Sequence, residues 1–309
     1  MCYSAQIEAD FRKFEREYGA ILSYRRFVEL FWEKRQDGGW QKIPKAMRDA
    51  FRQPRTEEER ELLELVTTAD KEQANAFEAE LFQQKTRLSG AERALAAKPT
   101  KKAENDQRIA TDKIARAQRN LADLQRMTPL DRDARIFPGH YAPVMIMKNG
   151  QRLIVPMRYQ CRLPGWTEAM EKQKPGTYNA RRDNLDKAWR KLFGFQHGLM
   201  VITRFYENVE REGENVVLEF SPQPSQDMLV ACLWSCSKGS DGEAGLFSFA
   251  AITDDPPPEV VAAGHDRCIV PIKPEHVDAW LVPDPHDLAA QYAILDDRER
   301  PFYEHRLAA

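Results

Sequence analysis

No stretch of this sequence approaches the roughly 18 consecutive apolar residues that a membrane-spanning helix needs, so no membrane partner is expected. The first residues also lack the apolar core of a secretory leader and carry Glu8 and Asp10 instead, which predicts a cytoplasmic protein. There is no excess of one charge: 46 Lys and Arg face 48 Asp and Glu, a net charge of −2. That balance neither announces nor excludes a nucleic-acid partner, which needs only a local basic patch. Cysteine is scarce, five in 309 residues, and the odd count points to free thiols in a reducing compartment. Cys232 and Cys236 have no second pair behind them, so strand alternation followed by a turn explains them better than zinc, and no metal is expected. The glycine-rich dinucleotide loop, the phosphate-binding loop, the nucleophile elbow and the zinc-protease helix are all missing, and no cofactor is expected.

What is present begins at the second residue. Removal of Met1 would leave Cys2 with a free α-amine and a thiol on one residue. Such a 1,2-aminothiol condenses with an aldehyde to an imine, and the thiol then closes a five-membered thiazolidine. The amine titrates at about 7.7–8.0 and the thiol at about 8.5, so both are partly reactive at neutral pH.

Behind Cys2, Ile7, Phe11, Phe14 and Tyr18 recur at helical spacing and predict a first amphipathic helix. Ser23 is placed to cap a second, carrying Phe27, Leu30 and Phe31, and a third short helix is expected from Pro44 to Phe51. From Thr56 to Met127 the composition changes. Ala74, Leu81, Leu88 and Leu95 fall seven apart, Lys98-Pro99-Thr100 breaks the pattern, and Ala110, Ile114, Ala117, Leu121 and Leu124 resume it. Residues 56–127 therefore read as an antiparallel helical hairpin inserted within a single domain of residues 1–309, with its arms a candidate surface for a protein partner.

After Pro129 short strands dominate. Val144–Met147 and Leu153–Met157 flank Asn149-Gly150, a strong hairpin signal. Leu199–Phe205, Val216–Phe220, Met228–Trp234, Leu246–Ile252 and Cys268–Ile272 read as strands. Helices are expected at Arg182–Leu192, near Glu259–Ala263, after Pro274 and over Pro285–Ile294. The fold class is α+β, with a mostly antiparallel, barrel-like β core and flanking helices.

Four pieces of this second half, with Met1-Cys2, resemble the SRAP family, the SOS response-associated peptidases that shield abasic sites. They are Arg135-Ile136-Phe137-Pro138-Gly139-His140-Tyr141-Ala142-Pro143; Met157-Arg158-Tyr159 with Leu163-Pro164-Gly165-Trp166 and Tyr178-Asn179-Ala180-Arg181; Phe205-Tyr206-Glu207; and His265-Asp266-Arg267. The family's opening Met-Cys-Gly-Arg is here Met-Cys-Tyr-Ser, so an arginine is missing at Ser4; Asn208 replaces a tryptophan, and Cys268-Ile269 replaces Met-Pro.

The resemblance implies a covalent crosslink between Cys2 and the aldehyde of an abasic site in single-stranded DNA, with β-lyase chemistry open to the same imine. It implies Cys2, Asn179, Glu207 and His265 as catalytic residues, and Arg181, Arg158, Trp166 and Arg267 as DNA contacts. The setting implied is a bacterial or phage-like cytoplasm, on nucleoid DNA. In that reading Cys2 is the nucleophile, Asn179 orients the amine and Arg181 grips a phosphate. Glu207, expected at a strand end, shuttles protons, and His265 protonates the sugar. Two other readings stay open: a self-processing cysteine peptidase of the same fold, and a non-catalytic DNA-binding or interaction protein that uses the hairpin.

Overall fold

The structure is a computed structural model that describes residues 3–211, 213–237 and 245–308; Cys2 lies outside them. It divides into two compact units, Met1–Glu59 with Leu130–Ala309, and Arg60–Pro129.

The first unit opens with strand β1 (Ser4–Ile7), helix α1 (Phe11–Tyr18), the short strand β2 (Ile21–Leu22), helix α2 (Tyr24–Gln36) and the short helix α3 (Lys45–Asp49). The first helix starts later than the periodicity suggests. Ile7 ends a fully buried strand, and Asp10 caps α1 by accepting the N–H groups of Arg12 and Lys13. Phe11 meets Phe27 and Phe51 at centroid separations of 5.0 and 5.1 Å, which locks α1 to α2 and the end of α3. The Ser23 side chain precedes α2 but makes no capping bond, contrary to expectation.

The second unit is a helical hairpin made of most of α4 (Glu57–Ala97) together with α5 (Lys101–Gln125). Thr100 caps α5 by accepting the Ala103 N–H at 3.2 Å. The arms are antiparallel: Arg87 pairs with Asp106, and one heptad back on each arm Glu80 pairs with Lys113. Ala91, Ala103, Ala110 and Ala117 are buried, and Ala110 and Ala117 belong to the periodic pattern read from the sequence.

The first unit resumes with β3 (Arg135–Ile136), β4 (Tyr141–Lys148), β5 (Gln151–Tyr159), α6 (Glu168–Gln173), β6 (Asn179–Arg181) and β7 (His197–Arg211). Then come β8 (Glu214–Gln223), β9 (Met228–Ser237), β10 (Leu246–Asp254), α7 (Pro258–Ala262), β11 (Cys268–Ile269), α8 (Val277–Leu281), α9 (Leu288–Asp296) and β12 (Phe302–Leu307). Strands β5, β4, β7, β9 and β10 pair in that order, and β10 pairs back onto β5, so the sheet closes into a ring. Closure removes the edges these apolar strands would otherwise expose. The pairings are antiparallel except those of β10 with β5 and β6, and of β2 with β5.

The turn between β4 and β5 has Asn149 at φ 53° and Gly150 at φ 75°, the two left-handed residues that a type I′ hairpin requires. Where β4 crosses β7, a Cβ on Gly198 would lie 2.9 Å from Val144 and 3.2 Å from the Met145 carbonyl. Beside it, His197 accepts the Gly194 N–H at 2.9 Å, donates toward the Trp280 carbonyl at 3.1 Å, and packs on the Trp280 ring at 4.0 Å. Burial pushes this imidazole down to about 3.

Several elements differ from expectation. Arg182–Leu192 is a 3₁₀ turn followed by irregular turns, because its apolar residues Leu185, Trp189 and Leu192 are buried by a chain that bends at Asn184. Strand β11 ends at Ile269, and beyond it the chain turns to β9, where Pro271 makes an isolated antiparallel bridge to Val230. Strands β6 and β12 carry no clear alternation and were not foreseen. Glu207 lies inside the 15-residue strand β7, four residues short of its end.

Candidate active site

Strand β7 carries the centre of the site. It is buried from His197 to Ile202 because that half closes the ring, and its far half pairs with β1 on one side and β8 on the other. Ser4 stands opposite Tyr206, and the Tyr3 N–H donates to the Tyr206 carbonyl at 3.3 Å. The N-terminal segment is thereby tied one residue from Glu207.

Glu207 is 0% exposed. His265 arrives from the loop after α7, where Gly264 at φ 98° turns the chain. Its backbone N–H donates to the Val260 carbonyl at 3.2 Å, and its Nε2 lies 3.3 Å from Glu207 Oε2. The Arg267 backbone holds Nδ1, with the carbonyl at 2.9 Å and the N–H at 3.3 Å. The shorter contact selects the tautomer that carries its proton on Nδ1, which leaves the Nε2 lone pair facing Glu207.

Burial raises the Glu207 carboxyl well above its ordinary 4.5, and the Tyr3 backbone N–H acts against that rise. Burial lowers His265 below 6.5, opposed by its bond to the Arg267 carbonyl. Both shifts favour the neutral forms of the two groups. A carboxyl and an imidazole in contact can pass a proton between them.

The other predicted residues are spread around this centre. Asn179 and Arg181 stand on β6, and Asn179 Oδ1 accepts the Tyr159 hydroxyl at 3.4 Å. Thr253 of β10 pairs with Arg181 on one side and with Ile269 on the other. The chain at Arg181 is thus about two strand spacings, roughly 10 Å, from the end of the His265 loop. The predicted phosphate contacts all hold carboxylates. Arg181 pairs with Asp183 at 3.1 Å and Asp255 at 3.5 Å, and Arg267 pairs with Asp266 at 3.5 Å. Arg158 binds the Gln160 carbonyl and the Glu171 carboxylate. Trp166 is half-buried, with Lys174 5.4 Å above its ring.

Sequence reasoning missed one group. Arg135 Nε donates to Ser4 Oγ at 3.1 Å, and its guanidinium lies 3.7 Å over the Tyr206 ring. The arginine absent at position 4 thus has a spatial counterpart from β3. Tyr3, 39% exposed, meets Phe137 edge-on at 5.7 Å, and Phe137 meets His140 at 5.5 Å. These residues sit in the first quoted motif, but their convergence on Tyr3 depends on β1 and β3 pairing across more than a hundred residues.

Cys161, Cys232, Cys236 and Cys268 are free thiols. Burial pushes Cys161 up to about 12 and raises the other three as well. None of the four offers a ready thiolate. No cluster of His, Cys, Asp and Glu suited to a metal ion occurs among the described residues. No described helix is long and apolar enough to cross a membrane.

The sequence pattern of the SOS response associated peptidases (SRAP) matches residues 100–306. No curated protein matches the chain. Among solved structures, a protein from Bordetella bronchiseptica is similar at 18% identity, covering 57% of this chain and 87% of that one, with a TM-score of 0.47. One from Bacteroides thetaiotaomicron is similar at 13% identity, covering 57% and 78%, with a TM-score of 0.47. A phage-related protein from Bordetella bronchiseptica is similar at 16% identity, covering 60% and 85%, with a TM-score of 0.44.

Proposed function

This chain belongs to the SOS response associated peptidase (SRAP) family, and from that premise we propose that it acts in the DNA damage response by crosslinking itself to abasic sites in single-stranded DNA. The observation that carries this reading is the buried Glu207–His265 pair, 3.3 Å apart, beside the strand through which the N-terminal segment enters. Cys2 precedes Tyr3, whose N–H donates to the carbonyl of Tyr206, the residue before Glu207. The four described cysteines favour the same assignment, because their thiols are held protonated.

With Met1 removed, the Cys2 amine attacks the C1′ aldehyde to give a carbinolamine. The Glu207 carboxyl donates its proton to the departing hydroxyl, water leaves, and an imine forms. The Cys2 thiol then adds its sulfur to the imine carbon and its proton reaches the nitrogen, which closes the thiazolidine. Glu207 and His265 move the protons; Asn179 orients the amine; Arg181 and Arg267 meet phosphates by exchanging their carboxylate partners. Trp166 offers a stacking face. Arg158 can reach a phosphate only by giving up Glu171. The site works in the cytoplasm, on nucleoid DNA.

The test is mass spectrometry of the purified protein after incubation with an abasic oligonucleotide. The expected result is a chain without Met1 and a denaturation-resistant adduct that Cys2→Ala abolishes. Cys2→Ser should give only an imine that borohydride traps. An adduct at wild-type yield in Cys2→Ala sinks the reading.

A further inference from the structure

The two flanks of the helical hairpin are unlike. Its seam is lined by small residues, with Ala91, Ala103, Ala110 and Ala117 all buried. Such a seam brings the arms close and leaves the larger apolar side chains beside it. Successive residues on a helix are turned by about 100°, which fixes the side each one takes. On α4, buried Gln84 and Ala91 separate Glu80 and Arg87 on one side from Leu81 and Leu88 on the other. On α5, buried Ala110 and Ala117 separate Asp106 and Lys113 from Ile114 and Leu121. The first flank is closed by the interarm ion pairs Glu80–Lys113 and Arg87–Asp106. The second is apolar, and Phe77, Leu81, Leu88, Leu95, Ile114 and Leu121 are only half-buried on it.

The charged border of the apolar flank fits a second copy of itself. Lys71, Glu78, Lys85 and Glu92 are exposed, fall seven apart and alternate in sign. Each stands three residues before one of Ala74, Leu81, Leu88 and Leu95. For all four, the residues three and four away on the helix are uncharged, so no intrahelical pair forms. No ion pair engages any of them among the described residues. Read from its other end, this row has every sign inverted. A second α4 laid antiparallel, about a two-fold axis between Leu81 and Phe82, sets Lys85 against Glu78 of the second copy and Lys71 against its Glu92. The same operation sets Leu81 beside its own counterpart and Leu88 over Ala74, large on small. On α5 the matching row is Glu104, Thr111, Gln118 and Gln125, and the axis sets Glu104 against Gln118, so no like charges meet. We infer that this flank is the interface through which two copies of the chain associate, as a four-helix bundle with an isologous contact centred on Leu81. This interface goes beyond the crosslinking reading and does not depend on it.

The test is sedimentation equilibrium of the full chain at micromolar concentration. The wild type should sediment at twice the chain mass. Glu78→Lys and Lys85→Glu each bring like charges together twice in the symmetric dimer, and each should weaken it at least about tenfold. Mixing the two variants should restore the dimer to wild-type affinity, since lysines at 78 and 85 then face glutamates at 85 and 78. The double variant E78K/K85E should dimerise like wild type by itself. Rescue by mixing separates misplaced charge from lost helix, because neither variant regains anything within its own chain. A monomeric wild type overturns the proposal and leaves this flank to a different protein. Single variants that stay fully dimeric overturn it as well, as does a mixture that stays monomeric.

Discussion

Glu171 and Glu207 are both buried carboxylates of the same unit, 3% and 0% exposed, and their surroundings are opposite. Glu171, on α6, meets two guanidiniums, Arg158 and Arg162, the latter at 2.9 Å. Its charge is matched where it sits. Glu207, on β7, faces an imidazole that burial pushes toward its neutral form, and its own burial favours the protonated carboxyl. Burial alone therefore does not mark a carboxyl for chemistry. What marks it is whether the surroundings stabilise its charge or resist it.

The comparison can be broken most decisively at the two carboxyls themselves. Glu207→Gln keeps shape but cannot pass a proton, so crosslinking should slow about 10²–10⁴-fold, with little change in affinity for single-stranded DNA. A gel time course of adduct formation measures it, and release onto competitor DNA should slow in parallel. Wild-type rates in both directions would move the proton-transfer role to His265. Glu171→Gln should do the reverse. It leaves two guanidiniums facing an amide and should cost about 3–5 kcal/mol in urea unfolding, with the crosslinking rate of the folded protein unchanged.

The pH dependence sharpens the same contrast. Glu207 binds its proton more tightly folded than unfolded, so its contribution to stability falls as pH rises from 4.5 toward its folded value. His197 is the opposite case. Its folded value is depressed to about 3 from 6.5, so its contribution is complete above 6.5 and is lost as pH falls through that window. Each limb has a slope of up to about 1.4 kcal/mol per pH unit. Thermal melts across pH should show both limbs in wild type. Glu207→Gln should flatten the upper limb alone, and an unchanged upper limb would show that Glu207 is ionised in the fold.

The smallest effect is expected far from either carboxyl. Joining Glu80 to Lys113 through a short Gly/Ser turn shortens the hairpin at a point where the two already face one another. Circular dichroism should report the lost helix, and the crosslinking rate should stay at wild type. A folded, shortened protein that fails to crosslink would place part of the DNA site on the hairpin.

The parts legible in the sequence were those with a strong local signal. The heptads of the hairpin, the break at Lys98-Pro99-Thr100 and the Asn149-Gly150 turn are written into adjacent residues. Glu207 and His265 were each named by motif resemblance, and their contact came only from the fold, since nothing local in Phe205-Tyr206-Glu207 announces a partner nearly sixty residues on. The strand β6 was illegible because three residues carry no usable alternation, and β12 because its side chains are mostly exposed on both faces. The Arg182–Leu192 helix was misread because its apolar spacing fits a helix, whereas burying Trp189 and Phe193 against the barrel favours a bent chain. Arg135 was missed for a related reason: its role follows from β1 lying beside β3, and no window of sequence contains both.

Strand β10 has a consequence for how the site opens. Thr253 is flanked by Arg181 on β6 and by Ile269 on β11, so one residue of backbone ties the two borders of the site. Neither border can lift away without unzipping a ladder that the other shares. The amides of β6, β10 and β11 should therefore form one cooperative unit of exchange, and the mouth of the site should be as rigid as the barrel wall from which it is built.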